Sequence, residues 1–317
     1  APAAGEAREA STTCGSFRFM ISRFPPLPIP RRGMRGIPGD NTADPDHPPD
    51  PMAPILVFDI ETIPDVAGLR RVWDLPPDTA DAAVVELASQ RRRQATGSDF
   101  LPCHLHRVVA ISCALRDRDS VRVWSLGTAK DGEAELVKRF FDGIDKYTPQ
   151  LVSWNGSGFD LPVLHYRALF HGIAAPRYWD LGDDDRDFKW NNYISRFHSR
   201  HTDLMDLLAG YQNRAFAPLD DVARLCGLPG KLGMDGSKVW QAWQDGGVDA
   251  IRDYCETDVA NTYLVWLRFQ RMRGALTADA HDREVALFRA FLGEQKAAHW
   301  KEFSAAWDKA GIIPRPS

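Results

Sequence analysis

The stretch Ile55-Leu56-Val57-Phe58-Asp59-Ile60-Glu61-Thr62 constrains the fold of this chain more than any other. Residues 55–60 form a near-continuous apolar run, the signature of a central strand covered on both faces, as in an α/β sheet flanked by helices. The run is strand-sized, and no stretch of the chain approaches the roughly 20 apolar residues of a membrane-spanning helix. Two carboxylates stand at its carboxyl end. Because side chains alternate along a strand, Asp59 and Glu61 point to the same face. Like charges this close repel, and burying either without a partner costs free energy, so a cation between them is the simplest compensation. An acidic turn already emerging into solvent before Pro64 fits the same residues equally well.

Downstream, strand patterns alternate with helical ones. Residues 108–115 and 121–126 flank the charged turn 116–120 and read as a hairpin, 132–147 as a helix and 150–154 as a short fourth strand. Helices are expected over 161–170, over 219–226 with Asp220 or Asp221 as cap, and over 248–272. In the last of these, Val248, Ile251, Cys255, Val259, Thr262, Trp266 and Phe269 recur at steps of three and four and form an inward face. A terminal helical region with Val285, Phe288, Phe291, Leu292, Trp300 and Phe303 should pack back on the rest. No internal repeat is evident. The expected organisation is a tail over 1–51, a main α/β domain over 52–275 and a helical extension over 276–317.

The tail is assigned on composition: its 51 residues hold 10 of the 22 prolines and no sustained hydrophobic period, which predicts disorder. Residues 18–35 are basic and acid-free, as in an organellar transit peptide; translated sequence ahead of a start at Met52, or a linker, is the plainer reading. The whole chain, 317 residues and 44% hydrophobic, is ample for a buried core. Its five cysteines, Cys14, Cys103, Cys113, Cys226 and Cys255, are odd in number with no Cys-x-x-Cys pair. That predicts a reducing, cytoplasmic compartment and no structural zinc. A net charge of −4 gives no sign of nucleic-acid binding by itself. A site built of carboxylates recruits metal cations, however, and needs basic residues only along a strand's path.

Two further carboxylate segments stand out. Asn155-Gly156-Ser157-Gly158-Phe159-Asp160 follows the fourth strand directly, placing Asp160 where a helix begins. Alone it reads as an N-cap, but the carboxyl ends of strands in open α/β sheets are where ligands bind. Tyr254-Cys255-Glu256-Thr257-Asp258 lies inside the longest helix, where Tyr254 and Asp258, four residues apart, share a face beside inward Ile251. A helix-edge Asp paired with a base is the plain alternative.

Taken together, Asp59-x-Glu61, Asn155-x-x-x-Phe159-Asp160 and Tyr254-x-x-x-Asp258 resemble, in order, the three motifs of the DEDDy group of DnaQ-like 3′ to 5′ exonucleases. The resemblance is closest to predicted exonucleases related to the proofreading domain of family B DNA polymerases. It covers roughly residues 54–269, with supporting stretches at 58–65, 201–207 and 231–236. It implies an RNase H-like mixed α/β sheet flanked by helices, and a site that hydrolyses phosphodiester bonds from the 3′ end of single-stranded nucleic acid, DNA in preference to RNA. By the same resemblance, Asp59 would bridge two ions, Glu61 and Asp258 complete one, Asp160 hold the other, and Tyr254 orient the attacking water. Oxygen-only ligands suit Mg²⁺ or Mn²⁺ better than zinc. Thr62 and Ile63 would touch the terminal nucleotide, with Asn155 and Phe159 helping to hold the strand. An exoribonuclease resembling RNase D fits the same five residues, as does a catalytically silent binding module on the same fold.

For grip on a strand, residues 186–200 interleave basic side chains with aromatics, Lys189 and Trp190 among them, as stacked bases and phosphates require. A surface loop anchored by its aromatics has the same composition. Lys231 and Lys238, in a glycine-rich loop, are phosphate-contact candidates or simply solvated lysines. Cys103-His104-Leu105-His106 lacks the second cluster a zinc site needs and reads as the start of a strand. Asp183-Asp184-Asp185 reads as a solvated turn, Asp203 and Asp206 as local caps, and Arg91-Arg92-Arg93 as an exposed helix end.

Overall fold

The computed structural model describes residues 54–310; the expected tail over 1–51 lies outside the described residues. The apolar run becomes β1 (Ile55–Pro64), buried along most of its length at the centre of a five-stranded sheet. Around it lie β2 (His106–Asp117), β3 (Ser120–Ser125), β4 (Gln150–Ser153) and β5 (His201–Asp203), in the order β3-β2-β1-β4-β5. β2 runs antiparallel to β1 and β3, while β4 is parallel to both β1 and β5. The sheet is therefore mixed and flanked by helices, the RNase H-like arrangement. The β2–β3 turn has only two residues between paired Asp117 and Ser120, and Arg118 takes φ 47° to close it.

The helices follow in chain order: α1 (Val66–Val72), α2 (Asp81–Thr96), α3 (Glu133–Tyr147), α4 (Asp160–His171), α5 (Pro176–Trp179), α6 (Leu204–Leu208), α7 (Leu219–Leu225), α8 (Val239–Gln244), α9 (Val248–Met272), α10 (Ala278–Glu294) and α11 (Ala298–Ala310). Leu56, Phe58 and Ile60 point to the face covered by α3 and α4, meeting Val137, Phe140, Ile144, Val163 and Leu164. Ile55 and Val57 point the other way, into a cluster with Val259, Tyr263, Phe288, Trp300 and Phe303 from α9, α10 and α11. α9 is buried over most of its circumference between Tyr254 and Leu267, more than the single stripe its periodicity predicts, because the sheet covers one side and α7, α10 and α11 the other. Among the described residues no helix is long and apolar enough to cross a membrane.

A buried ion network ties the elements under the sheet's edge. Arg167 in α4 donates to Asp65 at 2.6 Å and to Glu133 at 2.7 Å, and Glu133 also accepts the Val108 backbone N–H at 2.7 Å. Removing Arg167 would leave Asp65 buried without its cation and Glu133 with only His171 beside it.

One local expectation changes. α7 has Pro218 before it and no side-chain cap, so neither Asp220 nor Asp221 caps it. The Cys103-His104-Leu105 segment forms a turn of 3-10 helix that leads into β2 at His106.

Candidate active site

Position 59 belongs to the row of β1 that faces α9, and so does position 61. Asp59 pairs across the sheet with Ser112 and Glu61 with Ala110, and only after Glu61 does a bulge shift the register. The row Ile55, Val57, Asp59, Glu61, Ile63 thus aims at α9, where Ile63 packs with Ile251, Tyr254 and Cys255. α9 sets Asp258 and Tyr254 opposite the two strand carboxylates, with Cys255 Sγ 3.6 Å from Asp59 Oδ2. One ligating atom each of Asp59, Glu61 and Cys255 lie within 4.8 Å of one another.

Asp160 arrives by another route. β1 and β4 stay paired only from Ile55 to Val57, so beyond that point β1's edge amides face no strand. The Ile60 N–H donates to Asp160 Oδ1 at 3.1 Å, pinning the first residue of α4 against β1. Asp203, the cap of α6, sets the loop that precedes it by accepting the Asn155 N–H at 3.0 Å and the Ser157 N–H at 2.9 Å. Asn155 takes φ 65°, a conformation asparagine tolerates better than most residues.

Glu61, Asp160, Asp258 and Tyr254 are 8%, 4%, 5% and 4% exposed. Burial raises the Asp59 carboxyl well above its usual range, and the charges of Asp160 and Asp258 raise it further against Lys231 and Cys255. Glu61 is raised in the same way, by burial and then by Asp59 and Asp258. Burial pushes Asp160 up to about 7, opposed by backbone N–H groups that favour its charged form. Asp258 is raised by burial, with Lys231 and Tyr254 opposing. The Tyr254 phenol is raised by burial and by Asp258, and stays protonated.

Lys231 supplies the ammonium of this cluster: its Nζ lies 3.2 Å from Asp258 Oδ2 and donates to Tyr254 Oη at 2.5 Å. The sequence marked Lys231 as a weak candidate, and its placement depends on side chains that carried no sign of it. Asp220 Oδ1 accepts the Lys231 backbone N–H at 2.7 Å, and Asn261 of α9 holds Gly230 through its N–H and its carbonyl, at 3.2 and 2.9 Å. Gly230 has φ +70°, and a Cβ there would collide with Asp220 and Arg224, so the loop needs glycine at that point.

These donors fit hard divalent cations. The carboxylates offer only oxygen, burial holds the nearby Cys255 thiol well above its usual range, and Asp258 Oδ1 is buried with no hydrogen-bond partner. A single ammonium among four acids leaves negative charge that cations would neutralise.

The other candidates are more dispersed. Thr62 Oγ1 and His106 Nδ1 are 2.9 Å apart, and His106 packs on Phe159 and on exposed Phe100, an aromatic patch beside Asp160 that sequence reading missed. Ile63 is buried in the core. Lys189 ends a 3-10 turn and Trp190 follows it, with the Lys189 ammonium 5.5 Å from the Trp190 ring centre. Buried Phe188 and Tyr193 anchor that segment, while Trp190 and Phe197 face outward. Lys238 pairs with Asp235 at 2.9 Å on the surface, and Asp206 pairs with Arg196. Arg91, Arg92 and Arg93 lie in the last turns of α2, and the Asp183-Asp184-Asp185 turn folds around Asp180, which accepts N–H groups from Gly182 and Asp185.

Comparison with known proteins accords with this geometry. A DNA polymerase of Archaeoglobus fulgidus is 23% identical over 210 residues, covering 63% of this chain and 26% of that protein. The family B DNA polymerase of Pyrobaculum calidifontis superposes with a TM-score of 0.41 and 18% identity, over 67% of this chain and 24% of the polymerase. The chain thus spans about a quarter of the length of either polymerase. Residues 98–307 match a family described as predicted 3′-5′ exonucleases related to the exonuclease domain of PolB, a span that takes in Asp160, Tyr254, Asp258, all of α10 and most of α11. The match covers well over half of the sequence, and the chain belongs to this family of PolB-related 3′-5′ exonucleases.

Proposed function

We propose that the chain is a metal-dependent exonuclease that removes nucleotides from the 3′ end of single-stranded nucleic acid, with DNA preferred. The observation that carries the reading is the convergence of Asp59, Glu61, Asp160 and Asp258, from within β1, the start of α4 and the interior of α9, on one buried point with Tyr254 and the Lys231 ammonium. Held by those four carboxylates, two Mg²⁺ or Mn²⁺ ions would supply an activated water and stabilise charge on the departing 3′ oxygen. The chain's own groups do the rest. Asp59 and Glu61 are set by the strand, Asp160 by the Ile60 amide and Asp258 by α9, so the ligands are held before substrate arrives. The protonated Tyr254 phenol orients the water as a donor or acceptor. Lys231, already drawn to Asp258, can swing its ammonium to the scissile phosphate, where a cation is worth most. Thr62 and the Phe159 side of the site face the terminal nucleotide. In this reading residues 52–275 form the catalytic domain and 276–317 an extension whose helices share its core.

DNA is favoured because the Archaeoglobus fulgidus relative is a DNA polymerase and the family is described by its relation to PolB. Digestion of matched DNA and RNA oligonucleotides in Mn²⁺ tests that preference, since the 2′-hydroxyl is what such a site can sense. Faster loss of the DNA is expected; faster loss of the RNA would favour the RNase D-like alternative, and cleavage of neither would favour a silent binding module.

A further inference from the structure

On the opposite flank of the loop that carries Asp160, a cleft of about 560 Å³ opens between α4, α5 and the chain around Arg196 and Phe216. Pockets for small organic ligands commonly span ~300–1,000 Å³, so one nucleotide fits. Its walls suit a base. The Trp179 ring lies 4.9 Å from the His165 ring at a tilt of 52° and is itself 51% exposed, leaving indole surface free beside the cleft; Phe216 lines it as well. An aromatic surface left in water gains free energy when an apolar or aromatic face covers it.

The polar lining includes His165, Arg196, Asp206 and Asn213, and its cation is held in place. Arg196 is gripped by Asp206 through two hydrogen bonds of 2.8 and 2.7 Å, yet its side chain remains 46% exposed. That fixes a guanidinium at the cleft without covering it. His165 is kept neutral by burial, its pKa lowered to about 4, and its Nε2 is buried with no hydrogen-bond partner. An unsatisfied buried nitrogen is destabilising until a ligand's polar edge or a water reaches it. Asn155 and Leu161 complete the lining, and they bracket the loop that ends in Asp160, so the cleft and the carboxylate site share a wall.

We propose that this cleft is a subsite for an unpaired base of the nucleic-acid strand, upstream of the scissile phosphate, with Trp179 as its stacking face and Arg196 beside its phosphate. The proposal rests on the exonuclease reading. A base can enter only when it is unstacked from a partner strand, so the cleft would also make the enzyme prefer single strands over duplexes.

The test separates the two. Affinity for a fluorescent single-stranded oligonucleotide is measured by anisotropy in Ca²⁺, for the wild type, Trp179→Ala and Trp179→Phe. Hydrolysis of the p-nitrophenyl ester of thymidine 5′-monophosphate, which reaches only the carboxylate site, is measured in Mn²⁺. Stacking of one base is worth enough for Trp179→Ala to weaken oligonucleotide binding about tenfold, with most of it restored in Trp179→Phe and the ester rate unchanged in both. Unchanged oligonucleotide affinity in Trp179→Ala, or an equal fall in affinity and ester hydrolysis, would overturn the subsite. If the wild type fails to hydrolyse the ester and oligonucleotides alike, the exonuclease reading fails, while the binding comparison still decides whether the cleft takes a base.

Discussion

Four carboxylates held close together oppose their own burial, and at Asp59 and Glu61 the opposition comes from lost hydration first and from neighbouring acids second. Without metal, neutralising one of them should therefore help the fold. Asp59→Asn is expected to stabilise chelator-treated protein and raise its melting temperature, because it removes a buried charge repelled by Asp160 and Asp258, while abolishing hydrolysis. Scanning calorimetry in chelator checks this; a lower melting temperature than wild type would mean that Asp59 is a stabilising group and not a metal ligand held at a cost. Tyr254→Phe removes only the hydroxyl from a ring that also packs with Ile63 and Ile251. It should leave the fold intact and slow turnover by up to about a hundredfold, the lower end of what a positioned proton-transfer group contributes. Steady-state kcat would reveal it, and complete loss of activity would assign the phenol more than orientation. The five candidate residues could be proposed from sequence because the three motifs keep their order and spacing. The Asp220 and Asn261 contacts that set the Lys231 loop could not, because they join positions 11 and 31 residues apart through single hydrogen bonds that leave no periodic trace.

At the scale of elements, β1, the β2–β3 hairpin, α3 and α9 were legible because their apolar spacing is strong. β5 was not. His201-Thr202-Asp203 contains no aliphatic residue, and its strand character comes from pairing with β4 and from burial. α1 was missed, and α2 was read only from its basic end at Arg91-Arg92-Arg93, because it buries only Val84 and Ala88 and shows no strong apolar stripe. The Arg167–Asp65–Glu133 network was invisible for the same reason as the Lys231 loop. Arg167→Ala strands two buried carboxylates and is expected to destabilise the protein by about 3–5 kcal/mol, read from urea unfolding. A loss below about 1 kcal/mol would mean that water reaches the network. Phe303 of α11 is fully buried in the cluster shared with α9, so Phe303→Ala should cost about 3–5 kcal/mol with activity retained at low temperature. A silent substitution would detach α11 from the core.

Across the whole molecule, the family match runs to residue 307, beyond the 54–269 span of the motif resemblance, and it begins after Asp59 and Glu61. The helices that pack on α9 therefore lie within the matched region, while the first motif rests on its own residues and on their place in the sheet. The fold explains why so dispersed a set can work. Carboxylates from β1, from the start of α4 and from the middle of α9 meet where β1 runs past the end of its pairing with β4, and no one of these segments brings them together alone. The most direct test is a time course on single-stranded DNA labelled at either end, in Mn²⁺, in Mg²⁺ or in chelator. The account predicts immediate release of the 3′ label as a mononucleotide, a shortening ladder from the 5′ label, and no cleavage in chelator or with Asp59→Asn. Release of the 5′ label first, or cleavage that persists in chelator, would contradict it.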